Sequence, residues 1–142
     1  MSSDALVNLA KIHKLKTEPA NPREFDGLVR SALDRATDAK NPGLTLASRF
    51  TLAYDASHAL ALAALRAHGY RSEDRYTVFQ CLTHTLSWPA GQWRVLDLCH
   101  KKRNLAEYEG HLDVDEALVM ELISLVNLLQ TQVPPLRARI VG

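Results

Sequence analysis

The 142-residue chain carries 17 Lys and Arg against 16 Asp and Glu, a formal net charge of +1, with 46% hydrophobic and 23% charged residues. That is ordinary globular composition, suited to one domain that buries roughly two-thirds of its unfolded surface. The near-neutral balance excludes a global field pulling on nucleic acid or anionic lipid, so any polyanion binding needs a local patch.

The opening MSSDALVNLAKIHK holds no uninterrupted apolar core of signal-peptide length, and its periodicity predicts a short helix from Ser3 to about Leu15. NPREFDGLVRSALDRATDAK follows. Asn21 stands as N-cap, Pro22 at the first helical position and Glu24 three residues after the cap, the pattern of a capping box. Phe25, Leu28, Val29, Ala32, Leu33 and Ala36 then form one apolar stripe, and the turn at Asn41–Gly43 ends the helix.

The next helix is predicted from about Thr45 to His68, with Gly69 as its cap. Its alanine- and leucine-rich run ASHALALAALRAH suits a central helix that neighbours approach closely. A third begins near Ser72, with Tyr76, Phe79, Leu82 and Leu86 inward, and WPAG punctuates it. A fourth runs from about Ala90 to Glu109 and stops at Gly110. The last begins at Asp113, with Glu116 completing a second capping box, and ends before Pro134 and Pro135.

No two-residue alternation interrupts this pattern, so the expected fold is all-α. Five main helices joined by short turns make an antiparallel up-and-down bundle, one domain spanning residues 1–142 with its core at about 22–132 and a loosely held C-terminal tail. No stretch reaches the eighteen or so apolar residues of a membrane helix: Arg49, Asp55 and His58 break one candidate, and Glu121, Asn127 and Gln130 another. Cys81 and Cys99 lack metal spacing and read as buried free thiols of a reducing compartment, which points to a cytoplasmic protein. The six histidines show no His-x-x-x-His or Glu-x-x-His spacing, and the glycines form no phosphate loop. Neither metal nor cofactor is expected.

The fourth helix carries the cluster that invites chemistry. On a helical wheel Val95, Leu98, Cys99, Leu105 and Ala106 share an apolar arc, with Trp93 and Leu96 towards its edge. Beside them run His100, Arg103, Asn104 and Glu107, with Tyr108 further round. The bland reading is a solvated face on which Arg103 and Glu107 pair four residues apart, worth a few tenths of a kcal/mol. The sharper reading holds Arg103 ready for a phosphate, at the border of a helical seam with Asn104 and Tyr108 in the same groove. Tyr54 and His58 share one face of the central helix, where a satisfied core histidine is the ordinary expectation.

AYDASHALALAALRAHGYRSED, followed by LDLCHKKRNLAEYEG, resembles the HEPN superfamily of small helical proteins, over roughly residues 49–110. The likeness is to the branch with a Tyr-x-x-x-His pattern, here Tyr54 and His58, and an arginine followed by Ala-Glu-Tyr, here Arg103, Ala106, Glu107 and Tyr108. The resemblance implies a four- or five-helix bundle that dimerises. Catalytic members are metal-independent ribonucleases, many of them toxins of toxin–antitoxin pairs. Their motif is arginine, a polar residue, then histidine after four to six intervening residues. Arg103 and Asn104 match its start, but the histidine positions hold Tyr108, Glu109 and Gly110, and His111 comes one residue late. Since tyrosine is a poor base at neutral pH, the expectation leans away from an enzyme. It is a noncatalytic binding or regulatory module of a toxin–antitoxin or other nucleic-acid-linked system, a homodimer with a protein partner or RNA, binding through Arg103, Asn104, Glu107, Tyr108, Tyr54 and His58. The alternative is a ribonuclease with a site across the homodimer, using Arg103, Asn104, Tyr108 and a displaced histidine such as His100.

Overall fold

Local chemistry sets the helix starts in the computed structural model, which describes residues 2–141; Met1 and Gly142, the ends of the expected domain, lie outside the described residues. Asn21 Oδ1 accepts from the backbone N–H of Arg23 and Glu24, Thr45 Oγ1 from Ser48 and Asp115 Oδ1 from Leu118, each satisfying a donor that a helix start leaves open. The elements are α1 (Ser2–Lys11), β1 (Lys16–Thr17), α2 (Pro22–Ala39), α3 (Leu46–Ala67), β2 (Tyr70–Arg71), α4 (Arg75–Gln80), α5 (Leu82–Thr85), α6 (Ala90–Glu109) and α7 (Glu116–Gln132), followed by a 3₁₀ turn over Pro134–Arg139. The fold is an all-α antiparallel bundle. Its only sheet among the described residues is the antiparallel two-residue bridge that pairs Lys16 with Arg71 and Thr17 with Tyr70.

The central place of α3 follows from its composition. Ala53, Ala56, Ala61, Ala63 and Ala64 are fully buried and let α2 and α7 approach closely, while Phe50, Tyr54, Leu60 and Leu65 fill the space between. At its C-terminal end Arg66, 2% exposed, is held by carbonyls and carboxylates on every side. Its guanidinium donates to Glu24 Oε1 at 2.6 Å and to the backbone oxygens of Pro19 at 2.7 Å, Glu18 at 2.9 Å and Tyr70 at 3.3 Å. Arg71 pairs with Glu18 at 2.9 Å and also with Glu24. The expected capping box at Asn21 is therefore half formed: Glu24 turns away from the helix start to meet two arginines far along the chain.

Three further expectations need correction. The third helix is interrupted at Cys81, where His84 N bonds Cys81 O in a tighter i, i+3 turn. The chain then passes Ser87 at φ 58° to seat Trp88 in the core, its Nε1 donating to Gln132 Oε1 at 2.6 Å. The tail is not loose. Val133 and Ile140 are buried, and Arg137 Nε donates to Asp26 Oδ1 at 2.9 Å, because the proline pair starts a 3₁₀ turn that folds the chain back onto α2 and α3. Finally, the stretch Glu116–Arg139 contains an 18-residue window of mean hydropathy 1.3, a third of it buried, that is long and apolar enough by composition to cross a membrane. Here its Val119, Leu122, Val126 and Leu129 are buried in the bundle, the same composition a core helix requires.

Candidate binding site at the α3–α4–α6 seam

Tyr54 of α3 anchors the site from inside the core. Its ring is 0% exposed, stacked on Phe50 at 6.3 Å and edge-on to Phe79 at 6.1 Å. The hydroxyl end meets a polar seam between α4 and α6. Arg75 Nη1 donates to Tyr54 Oη at 3.2 Å, and Tyr54 Oη shares a 3.0 Å hydrogen bond with His100 Nδ1. His100 Nε2 lies 3.2 Å from Asn104 Nδ2, so both nitrogens of that ring are engaged. The guanidinium carbons of Arg75 and Arg103 stand 5.6 and 5.5 Å from the Tyr54 ring centroid, each within cation–π range.

His58, one turn beyond Tyr54, packs edge-on against Phe79 at 5.9 Å and makes no hydrogen bond among the described residues. Burial, reinforced by the charges of Arg75, His100 and Arg103, lowers its pKa to about 4, so the ring is neutral at pH 7. His100 is lowered too, chiefly by burial, with Asp97 opposing and the two arginines assisting. Burial raises the Tyr54 phenol above its ordinary value against the pull of Arg75, which keeps it protonated. The seam thus combines two fixed cations with neutral imidazoles and a neutral phenol. Such an arrangement attracts an anion and gives it hydrogen-bond donors.

The orientation of α6 differs from the wheel-based expectation. Leu98 and Leu105, expected inward, are 45% and 56% exposed, whereas Trp93, Leu96 and Asp97 are buried alongside Cys99. The inward stripe is Trp93, Leu96, Asp97, His100 and Arg103, so half of the polar strip, His100 and Arg103, turns towards α3 and α4, while Asn104 and Glu107 stay exposed. Tyr108 does not join the groove expected for it. It is 92% exposed and makes no hydrogen bond or ring contact among the described residues, because the same rotation turns it outward. Glu107 reaches Arg103 only at 4.0 Å on the surface, a pair of small worth.

Of the residues singled out by sequence, the structure therefore brings together Tyr54, His58, His100, Arg103 and Asn104. It adds Arg75, which the sequence reading missed. A signal was present: an arginine at the first position of a helix opposes the helix dipole, which favours acidic residues there, so Arg75 is placed for something other than capping. The described residues contain no group of three or more His, Cys, Asp or Glu side chains able to hold a metal ion. Cys81 and Cys99 are buried thiols pushed up to about 12 by burial, far from the thiolate state that reactivity requires. No protein-family model matches the chain, and comparisons with curated proteins and with solved structures find no match either.

Proposed function

We propose that this protein is a noncatalytic, HEPN-like binding module of a nucleic-acid-linked system, and that the α3–α4–α6 seam binds the phosphodiester backbone of single-stranded RNA. The observation that carries this reading is the pair Arg75 and Arg103, both held against Tyr54. Among the described residues Arg75 has no carboxylate at ion-pairing distance, and Arg103 has only the distant, exposed Glu107. Guanidinium forks that a protein positions but does not neutralise are suited to phosphate oxygens. The test is fluorescence anisotropy with a short labelled single-stranded RNA over a salt series. Arg75→Ala and Arg103→Ala are each expected to weaken binding about tenfold and to flatten the salt slope by about one phosphate contact. Unchanged binding in both variants would overturn the assignment.

The ribonuclease reading retains one specific support: His58 is neutral and free of hydrogen bonds beside the arginines, the state a general base needs. Its pKa of about 4 makes it a weak base, and His100 has no free nitrogen to serve as the acid. The expectation is that labelled RNA stays intact in the presence of chelator. Cleavage that disappears in both His58→Gln and Arg103→Ala would replace the binding reading with the catalytic one.

A further inference from the structure

The seam does not end at Arg75. On the α4 side the next residue is Tyr76, and on the α6 side Asp97 stands three residues before His100. Together with Trp93, Arg94, Leu98 and Lys101 they line a small pocket of about 270 Å³. Asp97 is the unusual member. It is 6% exposed, its Oδ2 lies 3.0 Å from Lys101 Nζ, and its Oδ1 is buried with no hydrogen-bond partner among the described residues. A buried carboxylate oxygen without a donor is costly and rare in folded proteins, so a donor supplied by a ligand gives it a purpose. Lys101, which pairs with its Oδ2, is a side chain 72% exposed that swings aside at the cost of that one ion pair.

The walls of the pocket suit a flat ring. Tyr76 is partly exposed and meets Trp93 edge-on at 5.7 Å, which leaves a tyrosine face for stacking. The volume lies just below the ~300–1,000 Å³ of pockets that take drug-sized ligands, room for a single ring system. The spacing fits as well. From Asp97 to Arg103 is six residues of helix, about 9 Å along the axis and about 120° round it, so a strand that winds over α6 can present a base to one and a phosphate to the other.

Resting on the RNA-binding reading above, we infer that this pocket receives an unstacked guanine of the bound strand, its N1–H and N2–H donating to the Asp97 carboxylate while its ring stacks on Tyr76. Among the four bases, guanine alone presents two adjacent donors on its pairing edge. Adenine and cytosine pair one donor with an acceptor, and uracil flanks its single donor with two acceptors that a carboxylate repels.

The experiment measures anisotropy binding of the intact protein to a labelled oligouridine and to the same oligomer with guanosines inserted. The wild type is expected to prefer the guanosine-containing strand about tenfold. Asp97→Asn removes that preference while leaving oligouridine affinity and its salt slope in place. Tyr76→Ala, which alters no buried polar group, reduces the preference and serves should Asp97→Asn fail to fold. Arg75→Ala and Arg103→Ala weaken both strands equally. Equal affinity of the wild type for the two strands, still dependent on the arginines, overturns the guanine pocket and leaves phosphate binding standing. Binding of neither strand overturns both.

Discussion

Two arginine-rich regions sit at opposite fates in this bundle. Around Arg66 and Arg71, four backbone and carboxylate groups close on buried guanidinium, and Glu24 is held below the usual carboxylate range by hydrogen bonds from both arginines, although its own burial pulls the other way. Around Arg75 and Arg103, the guanidinium groups rest on an aromatic ring, and the one carboxylate at ion-pairing distance among the described residues is the exposed Glu107, 4.0 Å from Arg103. The first arrangement ties the start of α2 to the end of α3 and has nothing left to offer a ligand. The second spends little on its own structure and remains available. The same side chain serves architecture or recognition according to whether the fold also delivers acceptors to it.

Substitutions can break or sharpen that contrast. The largest effect belongs to Arg66→Ala, which leaves Glu24 with Arg71 alone and strands three carbonyls in a partly dry site. Unfolding by denaturant is expected to show a loss of about 3–5 kcal/mol, the range for removing one partner of a buried pair. Next comes His58→Gln. Because the folded state holds His58 at about 4 and the unfolded chain at its ordinary 6.5, the unfolded state binds the extra proton between those values. Stability from this group is therefore complete above pH 6.5 and falls as pH drops towards 4, by up to about 3 kcal/mol. His68, His84 and His100 are lowered in the same direction, so the part of the slope that vanishes in His58→Gln is the share to measure. Protonation of Glu18 and Glu24 acts below their ordinary 4.5 and is separated by its lower pH window. Smaller still, Arg75→Ala and Arg103→Ala should change stability by no more than about 1 kcal/mol, the worth of an exposed cation–π contact, while each weakens RNA binding about tenfold. Tyr108→Ser, on an exposed side chain with no partner among the described residues, should leave both melting and RNA binding within about 0.5 kcal/mol of the wild type.

The helices were legible because their signals are local. Asn21–Pro22, Thr45 and Gly110 mark boundaries through backbone chemistry that acts within a few residues, whereas the last helix starts two residues later than expected, capped by Asp115 instead of Asp113 and with Glu116 as its first residue, not the partner of a capping box. The facing of α6 was not legible, since its inward stripe mixes the buried Trp93, Leu96 and Asp97 with the half-buried His100 and Arg103. A rule that turns apolar residues inward places Leu98 and Leu105 in the core and leaves the polar seam outside. Glu24 shows the same limit: its spacing from Asn21 announces a cap, but Arg66, 42 residues away, outcompetes the helix end for its carboxylate. The candidate site was half visible. Tyr54, His58, His100, Arg103 and Asn104 stood out by residue type and spacing. Arg75, which reaches Tyr54 across 21 residues, depends on a packing geometry that periodicity does not encode.

The burial of Tyr54 has a consequence for how recognition would unfold in time. Its ring is wedged between Phe50 and Phe79, so the atom that orients Arg75 and His100 moves only when the hydrophobic interior moves. An arriving anion meets groups already at their stations and loses little freedom of its host, a lock cut before the key. Tyr54→Phe would keep the interior filled yet release both polar neighbours, converting a stiff receptor into a slack one with the same outline.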